Sequence, residues 1–545
     1  MLSTAAVSVL VFGYARTAEA QIVVPPATPE CSISGTTATC TGDVSVGIDA
    51  NAPLTTLNVN NLTQDIAPGS GVDGINFRVG SGNITIDSTA NIQTRGGAEG
   101  IFARVANSGD IAITSNGNVS TRGNNGEGIF ARVVNNGDIT INSTGDVTTR
   151  GVDAEGIFAR VENDGDITIN SDGNVSTRRN NAEGIEAVVD DDGDIAISST
   201  GDITTRGRGA EAIAAYVNDD GDITVTSSGN ISTQGRFSSG IHSVIGDDGD
   251  ISISSDGNIT TRNRDAAGIF AYVVDDGNIA VTSSGDISTE GRDSAGIYSV
   301  VNDDGDISIS STGNISTKGR YSDGIFAYVT DNGDIEVTSS GNITTEGRNA
   351  FGIAAIGNDD GDVTIASHGN ITTTGRDAIG IAALGGDTGA ISITSVGNVT
   401  TSGNDAIGIA ATTFGDGPIT INSTGSITTS GSDADGINVD SFGGSVTINQ
   451  RGDVTVTGSD ADAIDVDNAD GAGNSTITIA AGSTITGGPG SGDGIDFQGG
   501  YINRVFNFGT ITTAGENAIE GEGSGSELIF NSGIVTGNVD LGPGA

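Results

Sequence analysis

Short runs of alternating apolar and polar residues fill this chain, each introduced by glycine, and the set of runs repeats. In DISIS, Asp306 to Ser310, Ile307 and Ile309 fall on one side while Asp306, Ser308 and Ser310 fall on the other, the two-residue period of a half-buried strand. GIFAYV, from Gly324, places Ile325, Ala327 and Val329 on the inner side and leaves Phe326 and Tyr328 outside. A third short run, NISTK, follows Gly313. Stepping by 28 from Gly100 reaches glycine each time up to Gly436, except at Ala212, and the next residue is isoleucine throughout, from Ile101 to Ile437. Strict alternation and the wealth of β-branched residues favour strands over an amphipathic helix.

Three strands in 28 residues, joined by glycine and Asx turns too short for a helix, predict an all-β, right-handed parallel β-helix in which each strand pairs with its equivalent one coil later. Twelve coil steps at the ~4.8 Å strand spacing give a rod of roughly 58 Å before the flanking coils are added. Equivalent side chains should then stack in columns. Thr121, Thr149, Thr177 and their successors to Thr429 form one column whose parity is inward, near a corner where hydroxyls are expected to satisfy one another. The expected organisation is a signal peptide at 1–20, an N-terminal cap at 21–75 holding Cys31 and Cys40, regular coils at 76–486 and degenerate coils at 487–545.

Composition narrows the functional classes. With 4% aromatic residues and no Trp in 545 residues, thick globular cores are excluded and a thin, regular core is expected. Gly supplies 87 residues against 8 Pro, without the three-residue period of collagen. A formal charge of -48 argues against nucleic acid and bare anionic lipid as partners and makes cations the natural small ligands. The apolar stretch Ala5 to Tyr14, followed by Ala18, Glu19 and Ala20, has the form of a cleavable export signal lacking the usual basic start. In an oxidising compartment Cys31 and Cys40 are expected to close a small disulfide loop.

The acidic turns carry the first chemical expectation. Asp110, Asp138, Asp166 and their successors to Asp362 form a column broken by Asn278, and neighbours ~4.8 Å apart repel by about 1 kcal/mol even in water. Either salt screens this or a divalent cation bridges it. Asp219, Asp220, Asp222, Asp247, Asp248, Asp250, Asp303, Asp304 and Asp306 are the candidate Ca²⁺ ligands, an oxygen-rich set of the kind that ion prefers.

Signals for catalysis are sparse. His242 and His368 are the two histidines, 126 residues apart, and each reads as a solvated side chain. No nucleophile elbow, phosphate-binding lysine loop or H-E-x-x-H zinc motif is present. One local acid group stands out in DAIDVDNADG: outward Asp465 and Asp467, with Asp440 on the preceding coil and Asp496 on the next, could do acid/base work on a polysaccharide. Outward Thr224, Thr226, Ser252, Ser254, Ser308 and Ser310 form a flat hydroxyl face like that of an ice-binding solenoid, interrupted by Glu336. Arg451, Gly452 and Asp453 match an integrin-type tripeptide, but Gly-Asp is the repeat's own turn.

The order of an export signal, a close cysteine pair in CSISGTTATCTGD, glycine-punctuated coils and a closing GIVTGNVDLGPGA resembles the passenger region of an autotransporter of a Gram-negative bacterium. That resemblance implies export through a C-terminal outer-membrane barrel, the chain's only expected link to a membrane, then display on the cell surface or release. No alternating, aromatic-rich barrel strands follow, so the chain reads as a fragment that stops before such a barrel. The expected function is structural or adhesive rather than enzymatic, with surface polysaccharide, a host or neighbouring-cell surface, or another copy of the chain as partner. A carbohydrate-active enzyme and an ice-binding solenoid are the alternatives. No cofactor is required by this reading, with Ca²⁺ as the candidate ion.

Overall fold

Alternation becomes a tube when each strand finds its copy one coil away. The computed structural model describes residues 31–468, 473–522 and 525–542, and no helix occurs among them. The export signal expected at 1–20 and the last three residues of the closing motif lie outside the described residues. The chain winds into a β-solenoid of about 17 turns with coils of roughly 28 residues. One coil comprises a first strand, Ile297–Val301, a second, Ile307–Ser311, and a third, Ile315–Lys318. Ile269, Ile297 and Ile325 are consecutive parallel partners, so equivalent side chains do lie over one another.

Among the described residues the second strands form a 20-stranded sheet, and the first and third strands are grouped in a 34-stranded one. That second grouping has a local cause: the long strand Thr510–Gly521 pairs with both Thr484–Gly487 and Ile495–Phe497, fusing two otherwise separate ladders near the far end. Register is constant at 28 from Ile101 to Ile437 and then changes as Ile437 pairs with Ile464, Ile464 with Ile495 and Ile495 with Ile519.

The core is a bundle of columns. Ile325, Ala327 and Val329 are fully buried, and so are their equivalents in neighbouring coils. Each buried Ile or Val contributes about 1.5–3 kcal/mol by leaving water, and a thin tube gains stability by repeating that contribution. The threonine column is buried as expected, but its hydroxyls do not bond to one another. Thr149 Oγ1 donates to the Ala154 carbonyl at 2.5 Å, Thr261 to Ala266 at 2.8 Å and Thr345 to Ala350 at 2.9 Å. The turn after the third strand curls back over the core, so an otherwise orphaned carbonyl five residues ahead captures each hydroxyl up to Thr401, while the buried Thr429 hydroxyl at the end of the column has no partner among the described residues. A serine column from Ser115 to Ser423 lines the end of the second strands as well, a buried ladder that the alternation pattern had not singled out.

That same turn holds one residue per coil in the left-handed backbone region. Asn125, Asp153, Asn181 and Gly209 occupy it in successive coils, residue types that tolerate positive φ.

A hairpin closes one end. Cys31–Ser34 pairs with Thr37–Gly42, the one antiparallel pairing among the described residues, and a disulfide joins Cys31 to Cys40. Thr37–Gly42 then stacks in parallel on Thr56–Leu62, so the hairpin covers the edge that the first coil would otherwise present to solvent.

Candidate functional site

The acidic turns serve the backbone first. Asp138 N–H donates to Asp110 Oδ1 at 3.2 Å, Asp222 N–H to Asp194 Oδ1 at 2.9 Å, Asp250 N–H to Asp222 Oδ1 at 2.9 Å and Asp334 N–H to Asp306 Oδ1 at 2.8 Å. Asn278 continues the ladder because its amide oxygen accepts from Asp306 N–H at 2.9 Å. A second ladder runs at the next corner, where Asp202 N–H donates to Asn174 Oδ1 at 3.0 Å and Asn230 N–H to Asp202 Oδ1 at 2.8 Å. Asp453 of the integrin-like tripeptide belongs to this corner and accepts from Thr484 N–H at 2.8 Å. An anionic acceptor strengthens such a bond, which offsets part of the repulsion along the column.

Of the nine candidate Ca²⁺ ligands, Asp222, Asp250 and Asp306 are therefore engaged by the next coil. Asp220 and Asp248 are engaged the same way, by Asp248 N–H at 3.3 Å and Asp276 N–H at 3.2 Å, and they also meet other carboxylates across the coil boundary. Asp219, Asp220 and Asp247 form one group, Asp247, Asp248 and Asp275 the next, and Asp275, Asp276 and Asp303 a third, each with carboxylate oxygens within 4.8 Å of one another. Asp304 accepts from Asn332 N–H at 3.0 Å. Hydrogen bonds shared with Asp303 and Asp247, then desolvation and nearby negative charge, push the Asp275 carboxyl up to about 6. Asp219 is raised as well, by desolvation first and then by Asp191 and its neighbours.

The late acid group is brought together, but in a different state from the one the outward parity suggested. Asp440 and Asp467 are partners on adjacent strands, and so are Asp465 and Asp496. Asp465 is only 8% exposed and Asp496 only 6%. The amides of Asn438 and Gln498 cover them: Asn438 Nδ2 donates to Asp465 Oδ2 at 3.0 Å and Gln498 Nε2 to Asp496 Oδ2 at 3.1 Å. Burial and the surrounding carboxylates of Asp435, Asp496 and Asp462 push Asp465 up to about 9, so it is neutral at physiological pH. Desolvation first, and then nearby acids, also raises Asp462 to about 7 and Asp493 to about 8. Asp462 and Asp493 belong to a further ladder in which Asp462 N–H donates to Asp435 Oδ1 at 2.8 Å.

A second acid stack, buried at Glu155 and Glu211 and half-buried elsewhere, lies nearer the start of the rod. Glu99, Glu127, Glu155, Glu183 and Glu211 occupy the position before the repeat's Gly-Ile pair, Ala-Ile after Glu211, a 28-residue glutamate period that the sequence carries beside that of the glycines. Glu155, Glu183 and Glu186 place carboxylate oxygens within 4.8 Å of one another. Desolvation raises Glu155 and Glu183 well above the ordinary range and lifts Glu186 and Glu211 to about 7. His242 is not a solvated side chain: it is wedged between Tyr216 at 5.5 Å and Phe270 at 4.5 Å, with Nδ1 3.9 Å from Glu211 Oε1, and burial lowers it to about 4. His368 is exposed.

Two faces of the rod carry regular arrays. Phe130 and Phe158 stack at 4.9 Å, and farther along Phe270, Tyr298 and Phe326 stack at 5.2 and 5.0 Å, half-buried on the outer side of the first strands. On the second strands Thr224, Thr226, Ser252 and Ser308 are exposed, with Ser308 beside Glu336. No family model, curated protein or solved structure matches the chain.

Proposed function

We propose that the chain is a structural or adhesive rod, displayed on or released from a Gram-negative cell, that holds surface polysaccharide, a cell surface or another copy of itself through many weak contacts. The observation that carries this reading is the unbroken register from Ile101 to Ile437. With no residue inserted, no long loop walls a cleft along that stretch, and every outer face is an array of near-identical positions. Repetition multiplies weak contacts into avidity of ~10²–10⁴-fold over a single contact when geometry allows simultaneous engagement. Beads coated with the full chain should be retained on Gram-negative cells under flow far better than albumin-coated beads. Equal retention would remove the adhesive reading.

A polysaccharide-active enzyme is the second reading, favoured by Asp465, whose neutral carboxyl beside Asp496 is the protonation state of a general acid. Its signature would be new chain ends released from an acidic polysaccharide, with release lost in Asp465→Asn.

Calcium is proposed as the counter-ion of the Asp219–Asp220–Asp247 type of group, where crowded carboxylates gain most from a bridging cation. Millimolar CaCl₂ should raise the melting midpoint relative to EDTA, and Asp247→Asn, which belongs to two such groups, should shrink the difference. Identical midpoints in CaCl₂ and EDTA would leave solvated charge as the account of these turns.

A further inference from the structure

Most basic residues gather at one corner of an otherwise acidic tube. Of the 22 Lys and Arg, all but Arg16, Arg78, Arg104, Arg132, Arg160, Arg451, Arg504 and Lys318, which ends a third strand, lie in the turn between third and first strands. In three of the four consecutive coils from 178 to 264, this corner carries pairs: Arg178 and Arg179, Arg206 and Arg208, Arg262 and Arg264, all exposed. None of these six forms an ion pair among the described residues. Arg236 in the remaining coil contacts Asp265 at 3.4 Å. Acid is abundant elsewhere in these coils, yet this corner leaves its guanidinium groups open.

A second, independent feature sits at the centre of the corner. Position 237 is the left-handed turn position that Asn181 and Gly209 fill in the two preceding coils and Asp265 in the next, but here it is Phe237, with φ 55° and 39% exposed. A bulky side chain in that region is strained by about 1–2 kcal/mol, and exposing its ring recovers little of that. The guanidinium of Arg236 lies over the ring at 4.9 Å and that of Arg208 at 5.1 Å. The arrangement recurs three coils along, where Tyr321 has φ 56°, is 44% exposed and lies beneath Arg320 at 5.3 Å and Arg292 at 5.6 Å. Three steps of ~4.8 Å separate the two rings by about 14 Å along the axis.

Strain maintained at two exposed rings, each flanked by arginines, marks a binding edge. Guanidinium groups match carboxylate and sulfate oxygens in a bidentate fork, and the exposed part of a ring set between them offers apolar surface to a sugar. A single-stranded nucleic acid could also stack there, but it carries a charge at every nucleotide and would meet the field of a chain with net charge -48. A glycan bearing fewer charges meets less repulsion. We propose that the Arg178–Arg264 corner, centred on Phe237, binds a linear acidic glycan, carboxylated or sulfated, lying along the rod. This rests on the adhesive reading and specifies its contact edge and ligand chemistry.

The test uses the full chain flowed at low salt over immobilised hyaluronate and kappa-carrageenan, which carry a carboxylate or a sulfate on alternate sugars, and over neutral dextran and poly(dT). Binding is expected on hyaluronate, kappa-carrageenan or both, weakening as salt rises, and which of the two is held identifies the anionic group. The quadruple variant Arg206→Ser, Arg208→Ser, Arg262→Ser, Arg264→Ser should lose at least ~tenfold in affinity, the scale of one or two charge-assisted contacts. Phe237→Asn should weaken binding several-fold while keeping or raising the melting midpoint, because Asn tolerates the backbone that Phe resists. Binding that is equal in the quadruple variant overturns the proposal, as does equal affinity for poly(dT) or no binding to either acidic glycan. A low-salt oligomer dissolved by the quadruple variant would assign the edge to a second copy instead. Beads of that variant that still adhere to cells would overturn this edge while leaving the adhesive function standing.

Discussion

Raising the pH from 6 to 9 should lower the thermal midpoint of the rod, and Asp465→Asn should be more stable than the parent chain at the upper end of that range. A carboxyl whose pKa is raised by folding stabilises the folded state fully while it is neutral in both states, below its unfolded value of 3.8. The contribution is then lost as pH climbs toward the folded value, about 9 for Asp465, about 8 for Asp493 and about 7 for Asp462, Glu186 and Glu211. One pKa unit corresponds to about 1.4 kcal/mol, so the late acid group alone represents a penalty on the order of several kcal/mol once fully ionised. Ordinary exposed carboxylates are already ionised by pH 6, so the buried ones dominate this window, with the Asp275 group of the turns titrating only at its lower edge. Melts at fixed ionic strength, with hydrogen exchange read at Ile464–Asn468 and Ile495–Phe497, would show the loss locally. A flat profile, or an Asn variant whose advantage does not grow with pH, would contradict the neutral state assigned to Asp465.

The largest single-residue effect is expected at a glycine. A Cβ at Gly257 would lie 2.0 Å from the Gly229 carbonyl oxygen and 2.5 Å from its carbon, so backbone rather than a flexible side chain must move. Gly285 makes the same approach to Gly257 and Gly313 to Gly285, a column of contacts that any side chain would wedge apart. Gly257→Val should cost about 3 kcal/mol or more. Stability in a solenoid is a sum of coil terms and nearest-neighbour terms, so the damage should divide one cooperative transition into two rather than lower the whole curve evenly. Gly69→Ala is the matched control, since a Cβ there meets nothing within 4 Å. A single, unshifted transition for Gly257→Val would mean that the coils are not in close backbone contact.

Much of this architecture is legible because the 28-residue period converts chain position directly into place on the tube. Ile269, Ile297 and Ile325 stack as their spacing requires, and Phe326 and Tyr328 lie outside as alternation requires. Two-residue alternation fixes the side of a strand but not what covers that side. Asp465 has outward parity and is nevertheless buried, because the Asn438 and Gln498 amides arrive from adjacent coils and donate to its two oxygens. Nor does the period disclose hydrogen-bond partners: the threonine column could be read as self-satisfying until the returning turn placed the Ala154 carbonyl beside Thr149. The Glu99–Glu211 stack was readable by the same stepping that found the glycines.

The direction of the Asx ladder has a consequence for how such a rod is built. Each carboxylate or amide oxygen belongs to the earlier coil and each donor N–H to the later one, from Asp110 and Asp138 through to Asp334 and Asp362. A finished coil thus exposes ready-made acceptors toward the incoming segment, and a chain emerging in sequence order can crystallise onto its own growing tip, one winding serving as the template for the next.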